Sequence, residues 1–160
     1  MKNTILLLTI ILVFGCKPEV KNDFDEIIHY SIDDSNAKLF ENNEEFKALY
    51  NGLGTPINMD QSFENKLVQF RYQKKIIPKN KIAKINSSLE NDLNLEFYET
   101  ACMPIYRDIL ILKKDKSTKA IIKICFDCGM NESLGKIESN FEFESEEISN
   151  YQNLENLLKK

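Results

Sequence analysis

Two apolar segments, "DILIL" at residues 108–112 and "KAIIKICF" at residues 119–126, decide the fold of this chain. Both are dense in β-branched residues, which favour strands. The polar "KKDKST" between them is typical of a hairpin connection with its turn near Asp115 and Lys116. The two segments therefore predict a pair of antiparallel strands.

Two further strands follow from alternation of apolar and polar residues, one within residues 25–32 and one within residues 137–144. Helices are predicted from apolar residues at helical spacing. Their ranges are 43–52, with Asn43 as cap and Gly52 at the end, 61–75, 79–90 after Pro78, and a last helix from Ser145 to Lys160. Within 61–75, "LVQFRY" alone is also compatible with a strand. The sum predicts an α+β fold, a single domain with an antiparallel sheet of about four strands and helices packed on one face.

The N-terminal segment predicts export and lipidation. After Lys2, residues 5–14 form an apolar run too short to span a bilayer, and "VFGC" at residues 13–16 resembles a bacterial lipobox. We therefore expect a lipoprotein signal peptide at 1–15, a lipidated Cys16 with a tether over 16–23, and a domain over 24–160. The alternative is a plain signal peptide cleaved elsewhere. On the lipobox interpretation the expected location is the bacterial cell envelope, with the lipid, such as palmitate, anchoring the protein to a membrane and the domain facing the periplasm or the cell surface.

The charge balance argues against a nucleic-acid partner. The chain has 160 residues and a formal net charge of −4, whereas phosphate binding needs clustered cations. The clustered lysines are expected on the solvated face of a helix: Lys74, Lys75, Lys79, Lys81 and Lys84. The expected partners are a membrane, through the lipid, and an envelope protein or ligand.

Three cysteines beyond Cys16 allow three interpretations. The hairpin places Cys102 near Cys128 and somewhat further from Cys125, so a Cys102–Cys128 disulfide would act as a structural staple in an oxidising compartment. A thiol–disulfide redox protein would instead use the Cys-x-x-Cys at 125–128. That motif normally lies at a helix N-terminus with a downstream cis-proline, but Gly129 follows directly and the last proline is Pro104.

The third interpretation is a zinc site, which needs four ligands where the cysteines supply three. The single histidine, His29, is predicted on the opposite side of the first strand from Ile28 and Tyr30, in an exposed or rim position. The chain also lacks a Gly-x-Ser-x-Gly elbow and a glycine-rich phosphate loop. We therefore predict no catalytic residues, no cofactor and no metal, and a non-enzymatic binding or structural role is favoured over redox chemistry.

The order "ACMP" (101–104), "DILIL", a polar turn, "IIKICFDCG" (121–129) and a C-terminal helix resembles a family of small exported or lipid-anchored bacterial proteins. In that family a Cys-x-Pro segment precedes a hairpin that ends in Cys-Phe-x-Cys. The matching residues within the similar range 24–158 are Cys102, Pro104, Cys125, Phe126 and Cys128. Several such sequences carry an Arg-His pair after the proline, where this chain has only Arg107. The resemblance implies the architecture and the cysteine pattern, and it implies no reaction.

Overall fold

The computed structural model of the protein describes residues 24–52, 61–92, 102–135 and 150–159. The predicted signal peptide, Cys16 and its tether lie outside these residues. The described elements, in chain order, are β1 (Glu26–Ser31), α1 (Asp34–Lys38), α2 (Glu44–Asn51), α3 (Gln61–Gln69), β2 (Gln73–Ile76), α4 (Lys79–Asp92), β3 (Asp108–Lys114), β4 (Ser117–Cys125), β5 (Met130–Gly135) and α5 (Asn150–Lys159).

The strands form one antiparallel sheet in the order β2-β1-β3-β4-β5. This confirms the predicted α+β class and the antiparallel sheet, with five described strands in place of about four. β1, β3 and β4 were predicted, whereas β2 and β5 were not. The strand expected within 137–144 lies outside the described residues.

The predicted hairpin turn is confirmed in detail. Asp115 and Lys116 both have positive φ, at 50° and 64°, which is the backbone of a two-residue type I′ turn between twisted strands. Lys114 pairs with Ser117 across this turn, and an irregularity after Leu112 shifts the register by one residue. The turn therefore fixes which residues of β4 lie opposite the start of β3.

Helices cover both faces of the sheet, so the expectation of helices on one face is wrong. On one face Ile27, Leu110 and Ile122 pack against Ile85 of α4 and Leu158 of α5. We call it the α4–α5 face, and the opposite one the α1–α3 face. Both faces need a covering layer because β3 and β4 contain consecutive apolar residues, so neither side of these strands is polar.

On the α1–α3 face, Ile28, Ile111 and Ile121 pack against Phe46 of α2 and Leu67 of α3. The alternation of apolar residues within 25–32 predicted a buried side on this face only, because Ile28, Tyr30 and Ile32 all pack here. The sheet is thus the middle of three layers, and its central strands β1, β3 and β4 are largely buried on both surfaces.

The structure confirms most of the helices predicted from sequence. Asn43 caps α2 by accepting a hydrogen bond of 2.9 Å from the N–H of Phe46, and Gly52 ends it with φ of 71°. α4 begins directly after Pro78 as predicted. The last helix is present as α5, while its predicted cap, Ser145, lies outside the described residues.

The helix predicted over 61–75 is too long, because α3 ends at Gln69. Arg71 takes the left-handed conformation, with φ of 61°, and the N–H of Tyr72 donates to the carbonyl of Leu67. This is the hydrogen-bonding pattern that commonly ends helices at glycine. The chain then reverses into β2, which pairs with β1 at the edge of the described sheet.

The lysines expected on one helix are divided between two elements. Lys74 and Lys75 lie on β2, and the ammonium of Lys75 donates to the carbonyl of Leu158 at 2.8 Å. Lys81 of α4 donates to the carbonyl of Leu157 at 3.3 Å. These two lysines satisfy carbonyls at the C-terminal end of α5, where cations are favoured.

A buried carboxylate stabilises the α1–α3 face. Glu64 of α3 accepts from the hydroxyl of Tyr30 at 2.8 Å, from Lys113 at 2.5 Å and from Lys74 at 3.3 Å. Burial alone would raise the pKa of Glu64, but the hydrogen bonds from Lys113 and Tyr30 hold its pKa below the ordinary value. Burial and the Glu64 hydrogen bond raise the pKa of Tyr30, so the phenol stays neutral. Glu64 is therefore ionised over the physiological range.

Among the described helices, none has both the length and the apolar character required to cross a membrane.

Candidate functional site

The predicted cysteines meet at one end of the sheet, which we call the cysteine end. β1 ends there at Ser31, β3 begins there at Asp108, and β4 ends there at Cys125. Residues 102–107 lead into β3, and residues 126–129 connect β4 to β5. Antiparallel pairing brings these connecting segments together although they are far apart in sequence.

A disulfide joins Cys102 to Cys128, with Cα atoms 6.0 Å apart and a sequence separation of 26. The disulfide predicted from the hairpin is therefore present. Cys125 carries a free thiol and is only 1 % exposed. The bond links the segment before β3 to the turn after β4, so it fixes residues 102–107 against the sheet.

Residues 103–105 lie against all three sulfurs. The N–H of Ile105 donates to Cys125 Sγ at 3.3 Å. The carbonyl oxygen of Met103 lies 3.9 Å from Cys102 Sγ and 3.6 Å from Cys128 Sγ. The bonded pair and the buried thiol therefore belong to one cluster.

The residues that the structure describes do not assemble the ligand set that a zinc site needs. Among these described residues, no three His, Cys, Asp or Glu side chains are grouped so that they could hold a metal ion. Cys128, which would contribute to such a site, is bonded to Cys102.

Arg107 joins three segments at the cysteine end. Its Nε donates to Asp34 at 2.8 Å, and its Nη1 donates to Asp127 at 2.6 Å. Partial burial alone would lower the pKa of Arg107, but the hydrogen bonds to Asp34 and Asp127 raise its pKa above the ordinary value. Sequence reasoning singled out Arg107 and missed both aspartates, because no local pattern links positions 34 and 127.

Beside Arg107, a groove of about 370 Å³ runs between α1 and α2. We call it the α1–α2 groove, and its lining residues are Asp34, Ala37, Lys38, Glu41, Phe46, Lys47, Tyr50 and Asn51. Asp33 caps α1 through the N–H of Asn36, at 2.8 Å. The lining combines both signs of charge with two aromatic rings, and Asp34 is shared with the Arg107 ion pairs.

The wall formed by α2 is rigidly packed. The rings of Phe46 and Tyr50 are stacked with centroids 5.0 Å apart. Burial raises the pKa of Tyr50, and the nearby Arg107 opposes that rise. The carbonyl of Tyr50 accepts from the N–H of Tyr106 at 2.7 Å, which ties α2 to the segment held by the disulfide. The segment held by the disulfide is therefore hydrogen-bonded to the helix that forms one wall of the groove.

A buried lysine supports the same end of α2. Lys123 of β4 is 1 % exposed, and its ammonium lies 2.5 Å from Glu132 Oε2 and 3.4 Å from the carbonyl of Leu49. The ammonium also lies 4.6 Å from the centre of the Tyr106 ring. A positive charge is favoured there because the C-terminal end of a helix is partially negative.

His29 is buried, which corrects the expectation of an exposed position. It is 4 % exposed, and its Nε2 lies 2.7 Å from Asp108 Oδ1. His29 faces the side of the sheet that helices α4 and α5 cover, so the side of β1 assumed to be solvated is also core. Cys125 belongs to the opposite side, so the structure does not bring the histidine and the thiol together.

Comparison with protein-family models, with curated proteins and with solved structures finds no match to this chain. The resemblance to small exported proteins with a Cys-x-Pro segment therefore stays an expectation from the sequence.

Proposed function

We propose that this chain is a lipid-anchored domain of the bacterial cell envelope that binds a ligand or a partner protein without catalysis. The observation that carries the proposal is the α1–α2 groove beside the disulfide-bonded segment. Its volume of about 370 Å³ lies within the usual range for small-ligand sites. The disulfide would serve as a staple that keeps one wall of this groove in place.

The chemistry of the groove supports a ligand that carries both charge signs on an apolar body. Tyr50 offers partly exposed aromatic surface above the buried Phe46, and Asp34 and Lys38 offer charges of opposite sign. A short peptide segment with one aromatic side chain has these properties. Aromatic anchors surrounded by charged groups are typical of such recognition surfaces.

Two observations support binding over catalysis. The only histidine of the chain, His29, lies in the core with Asp108 as its partner. The alternative function, a redox protein using Cys125 and Cys128, is less well supported, because the disulfide of the structure joins Cys128 to Cys102 and the Cys-x-x-Cys pair is not the resting bond.

The start of the domain supports an orientation for the anchored protein. The N–H of Asp25 donates to the carbonyl of Lys113, and Asp25 accepts from the N–H of Asp115, so the chain enters beside the β3–β4 turn. β1 then runs about 20 Å to the cysteine end. With a lipid on Cys16, the groove would face away from the membrane, towards soluble partners.

The groove can be tested with a peptide probe. We expect titration of the isotope-labelled protein with the tripeptide Lys-Phe-Glu to shift amide resonances of Ala37, Lys47, Tyr50 and Asn51 selectively. Reversing one charge of the lining, in Lys38→Glu, should weaken binding about fivefold, the effect of one partly exposed ion pair. The measurement is the dissociation constant from nuclear magnetic resonance shifts.

The matched control is Lys119→Glu, which makes the same charge change at an exposed position of β4 that is not part of the groove lining. It should leave the dissociation constant within twofold of the wild type. Equal weakening by both variants would show that the peptide senses only net charge. Shifts spread over the whole domain would also contradict a groove site.

The anchor requires a separate test, because Cys16 lies outside the described residues. We expect the full-length protein to incorporate labelled palmitate and to sediment with membranes, and Cys16→Ser to lose both properties. Cys102→Ser serves as the control, since it removes a cysteine that is not in the lipobox. A wild-type protein without label, or a Cys16→Ser protein that keeps it, would refute the anchor.

A further inference from the structure

The cluster at the cysteine end contains a disulfide that solvent reaches and a thiol that solvent does not. Cys102 is exposed and Cys128 is half-buried, whereas Cys125 is buried. The staple alone needs two cysteines, so the third one has no part in it. Ile105 contacts the sulfur of Cys125 and Met103 contacts both bonded sulfurs, so the same short segment lies against the thiol and the bond.

We infer that Cys125 exchanges with this bond, so that the protein interconverts between a Cys102–Cys128 form and a Cys125–Cys128 form. This inference goes beyond the proposed binding function and does not depend on the groove or the lipid. Its consequence is a second state in which Cys102 carries a reactive, solvent-exposed thiol.

The exchange is balanced without an outside oxidant or reductant. The Cys125 thiol loses its proton to water, and its sulfur attacks Cys128 Sγ. The new Cys125–Cys128 bond forms as the Cys102–Cys128 bond breaks, and Cys102 leaves as a thiolate that takes a proton from water. One disulfide and one thiol are present before and after the step.

Three features of the cluster favour attack at Cys128 with Cys102 as the leaving group. Cys125 and Cys128 flank one tight turn, in which the N–H of Gly129 donates to the carbonyl of Phe126 at 3.4 Å. The N–H of Ile105 donates to Cys125 Sγ and would stabilise a thiolate there. Cys102 is exposed, so its leaving thiolate is hydrated at once.

The ring sizes determine which form predominates. On the chain-entropy model, the bond across residues 102–128 stabilises the fold more than the short Cys-x-x-Cys ring does, because it closes the longer loop. The Cys125–Cys128 form is therefore the minor state. In that state residues 102–107 lose their covalent link, and Cys102 lies beside Met103, which is 72 % exposed. A partner for this state is a protein disulfide or another electrophile that reacts with a thiolate.

Alkylation under native conditions tests the exchange, because it traps each minor-state thiol as it forms. The full-length protein, purified without reductant, is incubated at pH 8 with iodoacetamide for increasing times and mapped by mass spectrometry. We expect the label to accumulate on Cys102, together with a Cys125–Cys128 linked peptide. A label on Cys125 with the Cys102 bond intact, or no label after a day, would overturn the inference.

Two variants complete the test. Cys125→Ala removes the attacking sulfur, so labelling of Cys102 should be lost entirely, while circular dichroism verifies that the variant is folded. Persistent labelling of Cys102 in this variant would mean that another thiol opens the bond. Cys102→Ser should be purified with a Cys125–Cys128 bond, and two free thiols in the folded variant would show that the turn forbids it. If Cys102→Ser does not fold, the wild-type labelling alone decides.

Discussion

Replacing Cys102 with Ser in a Cys125→Ala background is expected to lower the free energy of unfolding by about 3 to 4 kcal/mol, because no second cysteine of the cluster then remains to bond Cys128. The disulfide closes a loop that spans 26 positions, and opening it returns conformational freedom to the unfolded chain. The loss should appear as a lower urea midpoint with a similar dependence on denaturant. Wild-type protein treated with a strong reductant should lose a similar amount of stability.

The control compares the response of each protein to reductant. The double variant Cys102→Ser/Cys125→Ala lacks both possible bonds, so reductant should leave its urea midpoint unchanged. Cys125→Ala alone keeps the Cys102–Cys128 bond and should remain sensitive. A double variant within about 1 kcal/mol of oxidised Cys125→Ala would contradict the staple, because the chain-entropy model predicts a clearly larger loss.

Glu64→Gln is expected to destabilise the protein by about 3 kcal/mol at neutral pH. Glu64 is the carboxylate that Lys113, Lys74 and Tyr30 share, and its side chain is 6 % exposed. The amide keeps the shape but leaves the partly buried ammonium of Lys113 without its counter-charge, and broken buried ion pairs typically cost this much. Urea unfolding of both proteins at pH 7 measures the difference.

The same substitution should change the response to acid. Because the folded-state pKa of Glu64 is depressed, its contribution is fully present above the ordinary carboxyl pKa of 4.5 and is lost as the pH falls through the folded-state value. The difference in stability between wild type and Glu64→Gln should therefore shrink below about pH 4.5. A difference that stays constant down to pH 2 would mean that the ionised carboxylate is not what stabilises the fold.

Glu45→Gln provides the matched control. Glu45 pairs with Lys66 at 2.6 Å, but both side chains are more than 40 % exposed. A pair in water should cost no more than about 1 kcal/mol when broken. An equal loss in Glu45→Gln and Glu64→Gln would show that burial does not set the strength of these ion pairs.

The features predicted correctly from sequence are those that local interactions determine. The β3–β4 hairpin follows from two apolar runs and a turn at Asp115 and Lys116, and its register brings Cys102 to Cys128. The ends of α2 follow from a capping Asn43 and a terminating Gly52. In each case the determining residues are close together in the chain.

The features missed depend on the edges of the sheet and on residues distant in sequence. β2 is short and fully exposed, so the alternation that marks a half-buried strand is absent. β5 is polar, and its sequence "MNESLG" gives no apolar period. His29 was assigned to solvent because nothing local shows that α4 and α5 cover its side of the sheet. The partners of Arg107 were missed for the same reason, because Asp34 and Asp127 are distant from Arg107 in sequence.

The groove was beyond sequence reasoning for a similar reason. Its lining comes from α1, α2 and the turn between them, and the pattern of α2 alone marks Phe46 and Tyr50 simply as apolar. The aromatic stack and the hydrogen bond from Tyr106 appear only when the chain is folded. Composition supports one prediction about partners, since a formal net charge of −4 disfavours binding to nucleic acid.

The strand order also constrains the course of folding. β3, β4 and β5 follow one another in sequence and pair as neighbours, so this meander can form as soon as its residues are available. β1 pairs with β3 through partners such as Ile28 and Ile111, which are distant in the chain. If the chain is exported as proposed, a polypeptide delivered N-terminus first would hold β1 without its central partner until β3 arrives. Completion of the sheet would then wait until the C-terminal half has crossed the membrane.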